Sequence, residues 1–260
     1  IAHRELRAES VEADLHWATR EAARRSEPVA LLLPPNVLQN SECGTPNPEP
    51  RTSNPDPRTP NPNSRTPNLD LAPTISRAEA IRATVRCLSD EPVIHANGYI
   101  CRESLAAADR PLNFYMIGSM GLASSIGLGI AFGMPEKTVV VFDGDGNVLM
   151  NLGALSMVGG LRPRNFLHVV FDNEVYGSTG NQLSLSREVR LDNLAAAAGY
   201  RSVAAVSEPG AIETAVREGL ACEGPGFILI KVTADEEDVP RVPYSPETIR
   251  DRFRAALQGA

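Results

Sequence analysis

The chain has 260 residues, 32 acidic against 25 basic, and a formal net charge of −7, a balance that argues against a nucleic-acid partner held through phosphate contacts. No apolar run approaches the length of a bilayer span, and the charged N-terminal stretch carries no secretory signal. Cys43, Cys87, Cys101 and Cys222 form no CxxC pair, which favours reduced, ordinarily buried thiols in a cytoplasmic protein.

Residues 1 to about 25 place Leu6, Val11, Leu15, Ala18 and Ala22 at helical spacing among charges, which predicts an amphipathic helix. Pro28 to Leu33 reads as a short buried strand, stopped by Pro34 and Pro35. A helix and one strand cannot enclose a core, so residues 1–38 are expected to be the end of a domain that begins upstream. Residues 44–71 then repeat in sevens, as GTPNPEP, RTSNPDP, RTPNPNS and RTPNLDL. Such a tract buries too little to offset chain entropy, and its prolines fall where a coiled coil needs Leu or Ile. A disordered linker is expected over 39–73, with a proline-motif docking site as the alternative.

Ser76 and Glu79 make a capping box ahead of Ile81, Val85 and Leu88, and the main domain, 74–260, is expected to start here. Its first strand, Pro92 to Ala96, ends at Asn97-Gly98-Tyr99, and the next helix is expected near Arg102-Glu103. The glycine turn suits an anion cradle of backbone N–H groups, or a plain strand-to-helix turn. His95 and His168 sit inside apolar runs and read as packed core histidines. Gly118-Ser119-Met120-Gly121 forms a loop before a helix of small residues, Ala123, Ser124, Ser125, Gly127 and Gly129, suited to close backbone contact. This is not a dinucleotide fingerprint, because Gly127 and Gly129 lie inside the helix and the third glycine is missing.

Two runs follow that carry the most information. Val139 to Phe142 leads into Asp143-Gly144-Asp145-Gly146, and Phe166 to Phe171 leads into Asp172-Asn173. Buried parallel strands joined by one helix would bring both ends to the carboxyl edge of a sheet. Asp145, Asn173 and nearby carbonyls would then form an oxygen-only set suited to Mg²⁺ or Ca²⁺. Gly177 to Gln182 either touches a ligand or caps the following helix. Beyond it, segments 192–199, 209–220 and 246–257 read as helical, and 202–206 and 227–232 as extended. The pattern is an α/β fold, a parallel sheet with helices on both faces.

Strand, Gly144-Asp145-Gly146, helix, strand and Asn173, in that order, resembles the signature of thiamine-diphosphate (ThDP) enzymes. The resemblance implies Mg²⁺ held by Asp145, Asn173 and the carbonyl of Val175. It also implies a cofactor bound by Asn97, Gly98, Gly118, Ser119, Met120, Gly144, Asp145, Gly146, Asn173, Tyr176, Gly177 and Ser178. In that scheme Met120 wedges the cofactor into its bent form, and the Gly118 carbonyl accepts from its aminopyrimidine. The family usually has two asparagines where Asp172 and Asn173 stand.

The longer string from Asn97-Gly98-Tyr99 through Asn113-Phe114-Tyr115-Met116-Ile117-Gly118-Ser119-Met120-Gly121 to Ser178-Thr179-Gly180-Asn181-Gln182 is similar to phosphonopyruvate and sulfopyruvate decarboxylases. The last five residues depart from that group's usual STGGQ at Asn181. By this resemblance the substrate is a small 2-oxo acid with an anionic group on C3, and residues 1–35 are similar to the end of a pyrimidine-binding domain. The activating glutamate of such enzymes has no match in Glu5, Glu9, Glu12, Glu21 or Glu27, which are expected on the terminal helix. It is expected from the pyrimidine-binding domain of another chain or an upstream segment, in a homo- or hetero-oligomer. The β subunit of a two-chain sulfopyruvate decarboxylase and a non-catalytic binding module are the alternatives. Arg102, Arg187 and Arg190 are candidates for the substrate anion by charge alone, with solvated surface as their ordinary role.

Overall fold

The structure is a computed structural model that describes residues 2–5, 10–25, 29–32 and 71–259. The chain divides into two compact units, Ile1–Pro62 and Asn63–Ala260. The linker expected over 39–73 lies, except for its last three residues, outside the described residues.

The first unit holds β1 (Ala2–Glu5), α1 (Val11–Arg25) and β2 (Val29–Leu32), with β1 and β2 paired in parallel. One helix was expected over residues 1–25, so β1 and the position of Glu5 on a strand are corrections. The sequence Ala2-His3-Arg4-Glu5 has no apolar alternation of its own and becomes a strand by pairing with Val29–Leu32. Asp14 accepts from Arg4 at 3.1 Å and from Ser10 at 2.7 Å, and the Arg4 guanidinium lies 4.2 Å from the Trp17 ring centroid.

The second unit runs α2 (Arg77–Val85), β3 (Val93–His95), α3 (Tyr99–Ala107), β4 (Asn113–Tyr115), α4 (Ala123–Gly133), β5 (Val139–Gly144), α5 (Asp145–Met150), α6 (Gly153–Leu161) and β6 (Phe166–Asp172). The hairpin β7 (Val175–Tyr176) and β8 (Gln182–Leu183) follows. The unit then closes with α7 (Leu191–Ala198), β9 (Ser202–Val206), α8 (Pro209–Ala221), β10 (Gly226–Lys231) and α9 (Pro246–Gln258). Six parallel strands form a sheet in the order β4-β3-β5-β6-β10-β9. The central strands β5 and β6 are buried at every residue, because helices cover both faces. Gly127 of α4 lies against Val141 and Phe166, where a Cβ would stand 2.4 Å from Val141 Cγ2. Gly219 of α8 lies against Leu167 and Ile228 on the other face. Gly129, expected to serve close contact as well, has nothing near its Cβ position.

The capping box forms: the Ser76 hydroxyl accepts from the Glu79 N–H at 3.3 Å, and Glu79 accepts from the Ser76 N–H at 2.9 Å. Two expectations shift. Helix α3 starts at Tyr99 rather than near Arg102, because Gly98, at φ 91°, turns the chain directly after the strand. The connection from β5 to β6 holds two helices rather than one, broken at Asn151, whose side chain donates to the Gly121 carbonyl at 3.0 Å.

His95 and His168 are fully buried as expected. His168 bonds Asp143 through Nε2 at 3.1 Å and Tyr200 through Nδ1 at 3.2 Å. His95 stacks on Tyr115 with no hydrogen bond to either nitrogen, and burial lowers its pKa to about 3. Cys87, Cys101 and Cys222 are free thiols; Cys101 is buried, whereas Cys222 is exposed, against the expectation for it. Among the described residues no helix is long and apolar enough to cross a membrane.

Candidate active site

The β5 and β6 ends meet in register, Gly144 beside Phe171, at the carboxyl edge of the sheet. A cleft opens there, lined by Asn97, Gly98, Met120, Gly144, Asp145, Gly146, Asn173, Val175, Tyr176, Gly177 and Ser178 from the sequence-derived set. Gly118 and Ser119 line a separate apolar groove with Leu122, Ile126 and Ile249. The glycines have local reasons. A Cβ on Gly146 would stand 2.5 Å from Tyr176 Cε1 and 3.3 Å from Met120 Cε, so both side chains close over this residue. A Cβ on Gly98 would lie 3.8 Å from Ser178 Oγ, so the two residues are neighbours in the cleft lining.

Asp145, Asn173 and Val175 converge at the base of the cleft. With its amide oriented by its neighbours, Asn173 donates to the Val175 carbonyl at 2.9 Å and to Asp145 Oδ1 at 3.2 Å, and accepts from Arg77 Nη1 at 3.1 Å. Turned through 180°, its oxygen would join the other two in facing one point. One carboxylate, one amide oxygen and one carbonyl facing each other are the donor set of a hard divalent cation, so the residues present fit Mg²⁺. Among the described residues no cluster of three His, Cys, Asp or Glu forms an alternative metal site.

Behind the triangle lies a buried polar layer that the sequence reading missed. Asp145 Oδ2 accepts hydrogen bonds from Ser184 and, at 3.1 Å, from Ser186. Ser186 Oγ lies closer to Asp172 Oδ1, at 2.8 Å, so its single proton serves one carboxylate at a time. Lys231 donates to Asp172 Oδ2 at 2.9 Å and to Glu174 Oε1 at 2.6 Å, which ties down both neighbours of Asn173. Burial, then the negative charge of Asp172, push the Asp145 carboxyl up to about 6, while Ser184 and Ser186 pull it down. A bound divalent cation would reverse that preference. Burial lowers the Lys231 ammonium, and Asp172 and Glu174 more than offset it.

Asn147 of α5 accepts from the Gly121 N–H at 3.0 Å, and with Asn151 it pins the loop that carries Met120. Gly177–Thr179 is a short 3₁₀ turn inside the β7–β8 hairpin, and Thr179 and Gln182 bond each other. The reading of this segment as the cap of the next helix is therefore corrected, since α7 begins only at Leu191. Arg187 pairs with Glu174 at 3.0 Å, Arg190 with Asp192, and Arg102 lies over the Tyr99 ring. Arg77, which no motif singled out, lines the cleft and forks onto buried Glu103 at 2.8 and 2.9 Å.

Comparison with known proteins gives this geometry a family. Residues 100–232 match the thiamine pyrophosphate enzyme, C-terminal TPP binding domain. The chain is 36% identical to a sulfopyruvate decarboxylase of Methanosarcina acetivorans, over 91% of this chain and 61% of that protein. It is 39% identical to the sulfopyruvate decarboxylase subunit beta of Methanococcus maripaludis, over 71% of this chain and 98% of that protein. It is 40% identical to a phosphonopyruvate decarboxylase of Streptomyces viridochromogenes, over 69% of this chain and 46% of that protein. The chain thus spans less than two thirds of the first and third of these relatives. The benzoylformate decarboxylase of Polynucleobacter necessarius shares the fold, with a TM-score of 0.55 at 18% identity over 64% of this chain and 34% of that one. The chain belongs to the thiamine pyrophosphate enzymes, through their C-terminal TPP-binding domain.

Proposed function

We propose that this chain is the diphosphate- and Mg²⁺-binding part of a decarboxylase acting on a 2-oxo acid with an anionic C3 substituent, most simply phosphonopyruvate, giving phosphonoacetaldehyde and CO₂. The observation that carries the reading is the convergence of Asp145, Asn173 and the Val175 carbonyl under a glycine-lined cleft. When bound, ThDP supplies the electron sink that allows a 2-oxo acid to lose CO₂. Asp145, Asn173 and Val175 hold the metal. Gly98, Gly144, Gly146, Gly177 and Ser178, with Asn97 and Tyr176, flank the cofactor, and Met120 supports its bent form. Gly118 and Ser119, although on a separate groove, would serve its pyrimidine end. Residues 74–260 are the catalytic half, 1–38 the end of a pyrimidine-binding domain and 39–73 the linker. The activating glutamate comes from a pyrimidine-binding domain outside this sequence, in a cytoplasmic oligomer.

The β subunit of a sulfopyruvate decarboxylase is the second reading, favoured by the match to 98% of the Methanococcus maripaludis subunit. Calorimetry of ThDP binding with and without Mg²⁺ tests the site, with metal-dependent binding expected. Metal-independent binding would favour a non-catalytic module instead. Turnover of phosphonopyruvate and sulfopyruvate, each with and without an added pyrimidine-binding partner, then sorts the two substrates. Turnover by the chain alone would refute the external glutamate.

A further inference from the structure

Arg77 opens α2, and its side chain is only 6% exposed; Glu103, its partner, is 0% exposed. Nε and Nη2 are both spent on the Glu103 carboxylate. That fork leaves Nη1 on the far side of the guanidinium, facing the Asn173 amide in the cleft at 3.1 Å. The pairing matters once Asn173 is committed to the cation. Without a cation the Asn173 oxygen accepts from Nη1; a cation that turned this oxygen toward Asp145 and Val175 would leave two donors facing each other, and both would then need an acceptor.

The nearby carboxylates are otherwise engaged. Asp145 Oδ2 is held by Ser184 and Ser186, and Asp172 by Ser186 and Lys231. One further carboxylate, Glu236, reaches the cleft wall, where it bonds the Tyr99 hydroxyl and lies beside Gly177, so an anion entering the cleft depends on the donors opposite it. Gly98, Tyr99 and Ile100, at the N-terminus of α3, line the same wall, where helix N–H groups point outward. The Tyr99 ring centroid lies 5.1 Å from the Arg77 guanidinium carbon, within cation–π range.

We infer that Arg77 is an anion-binding residue of this site, its Nη1 and the Asn173 amide nitrogen together gripping a phosphate oxygen of a metal-bound diphosphate. The inference rests on the metal reading given under Proposed function. Glu103 is then a positioning residue, which fixes the guanidinium plane and partly neutralises its charge.

The test is calorimetry on the full chain with inorganic pyrophosphate and Mg²⁺ as probe, repeated with ThDP. Arg77→Met is expected to weaken pyrophosphate binding about 10- to 100-fold, the effect of losing a charged hydrogen bond. Glu103→Gln, which frees the guanidinium, is expected to leave it equal or tighter. A merely structural ion pair predicts losses of the same size from both, and that result overturns the inference, as does unchanged binding in Arg77→Met. If Arg77→Met melts below the assay temperature, Arg77→Lys is read in its place. Lysine keeps a charge for Glu103 but lacks the second arm, so a loss of about fivefold or more is expected, and unchanged binding overturns the assignment. Parent chain that binds pyrophosphate equally well with and without Mg²⁺ would instead sink the metal reading on which the inference stands.

Discussion

Asp143 and Asp145 sit at one strand end and are buried alike, at 1% and 3% exposure, yet the protein treats them differently. Asp143 faces the core, where Oδ1 accepts from the Gly144 N–H at 3.0 Å and Oδ2 bonds His168, itself held by Tyr200. That chain of partners closes on itself. Asp145 faces the cleft, backed by two hydroxyls, with the Asn173 amide 3.2 Å from Oδ1 on its open side. Two carboxylates of equal burial are thus separated by what completes them. Core donors complete the first, whereas the second shares its open side with a rotatable amide and a carbonyl, which a cation would unite with it.

Substitution at the open carboxylate should break the comparison most visibly. Asp145→Ala is expected to weaken Mg²⁺-dependent ThDP binding at least about 1000-fold, while the melting temperature of the metal-free chain holds or rises. Calorimetry and thermal melts read the two effects, and retained metal-dependent binding would erase the distinction. At the closed one, Asp143→Ala should cost about 3 kcal/mol of folding stability by denaturant titration, because it strands His168 and the Gly144 N–H. A cost below about 1 kcal/mol would mean that the core chain is not held as a unit.

His95 provides an unpaired contrast to His168. Its folded pKa of about 3 lies below the unfolded value of 6.5, so acid favours the unfolded chain, which takes up a proton the folded chain refuses. Its contribution is fully present above pH 6.5 and falls by about 2 kcal/mol between pH 6.5 and 5. Denaturation midpoints across that range should flatten in His95→Phe. The smallest effect is expected at Asn147→Ala, which releases one anchor of the Met120 loop. ThDP affinity should fall about tenfold, with a stability cost of about 1 kcal/mol from the stranded Gly121 N–H.

Much of this site was legible because its chemistry is written in contiguous residues. The runs 139–144 and 166–172 are continuously apolar since central parallel strands are buried on both faces, and each ends in the polar residues that reach the cleft. The capping box at Ser76 and Glu79 needs only its own turn of helix. Strand β1 was not legible, because Ala2 to Glu5 carries no periodicity and depends on its partner strand.

The tripeptide around Asp145 and the Asp172-Asn173 pair could be placed at one sheet edge from sequence, since the residues that make a strand stop and a backbone turn are neighbours in the chain. The cofactor expectation came from their resemblance to a known family. The groups that complete the site are not neighbours. Ser184 stands 39 residues from Asp145, Lys231 stands 59 from Asp172, and Arg77 stands 26 from Glu103. A serine, a lysine or an arginine at such distances has no local signature, and its role appears only when the sheet order brings strand ends, hairpin and helix together at one edge.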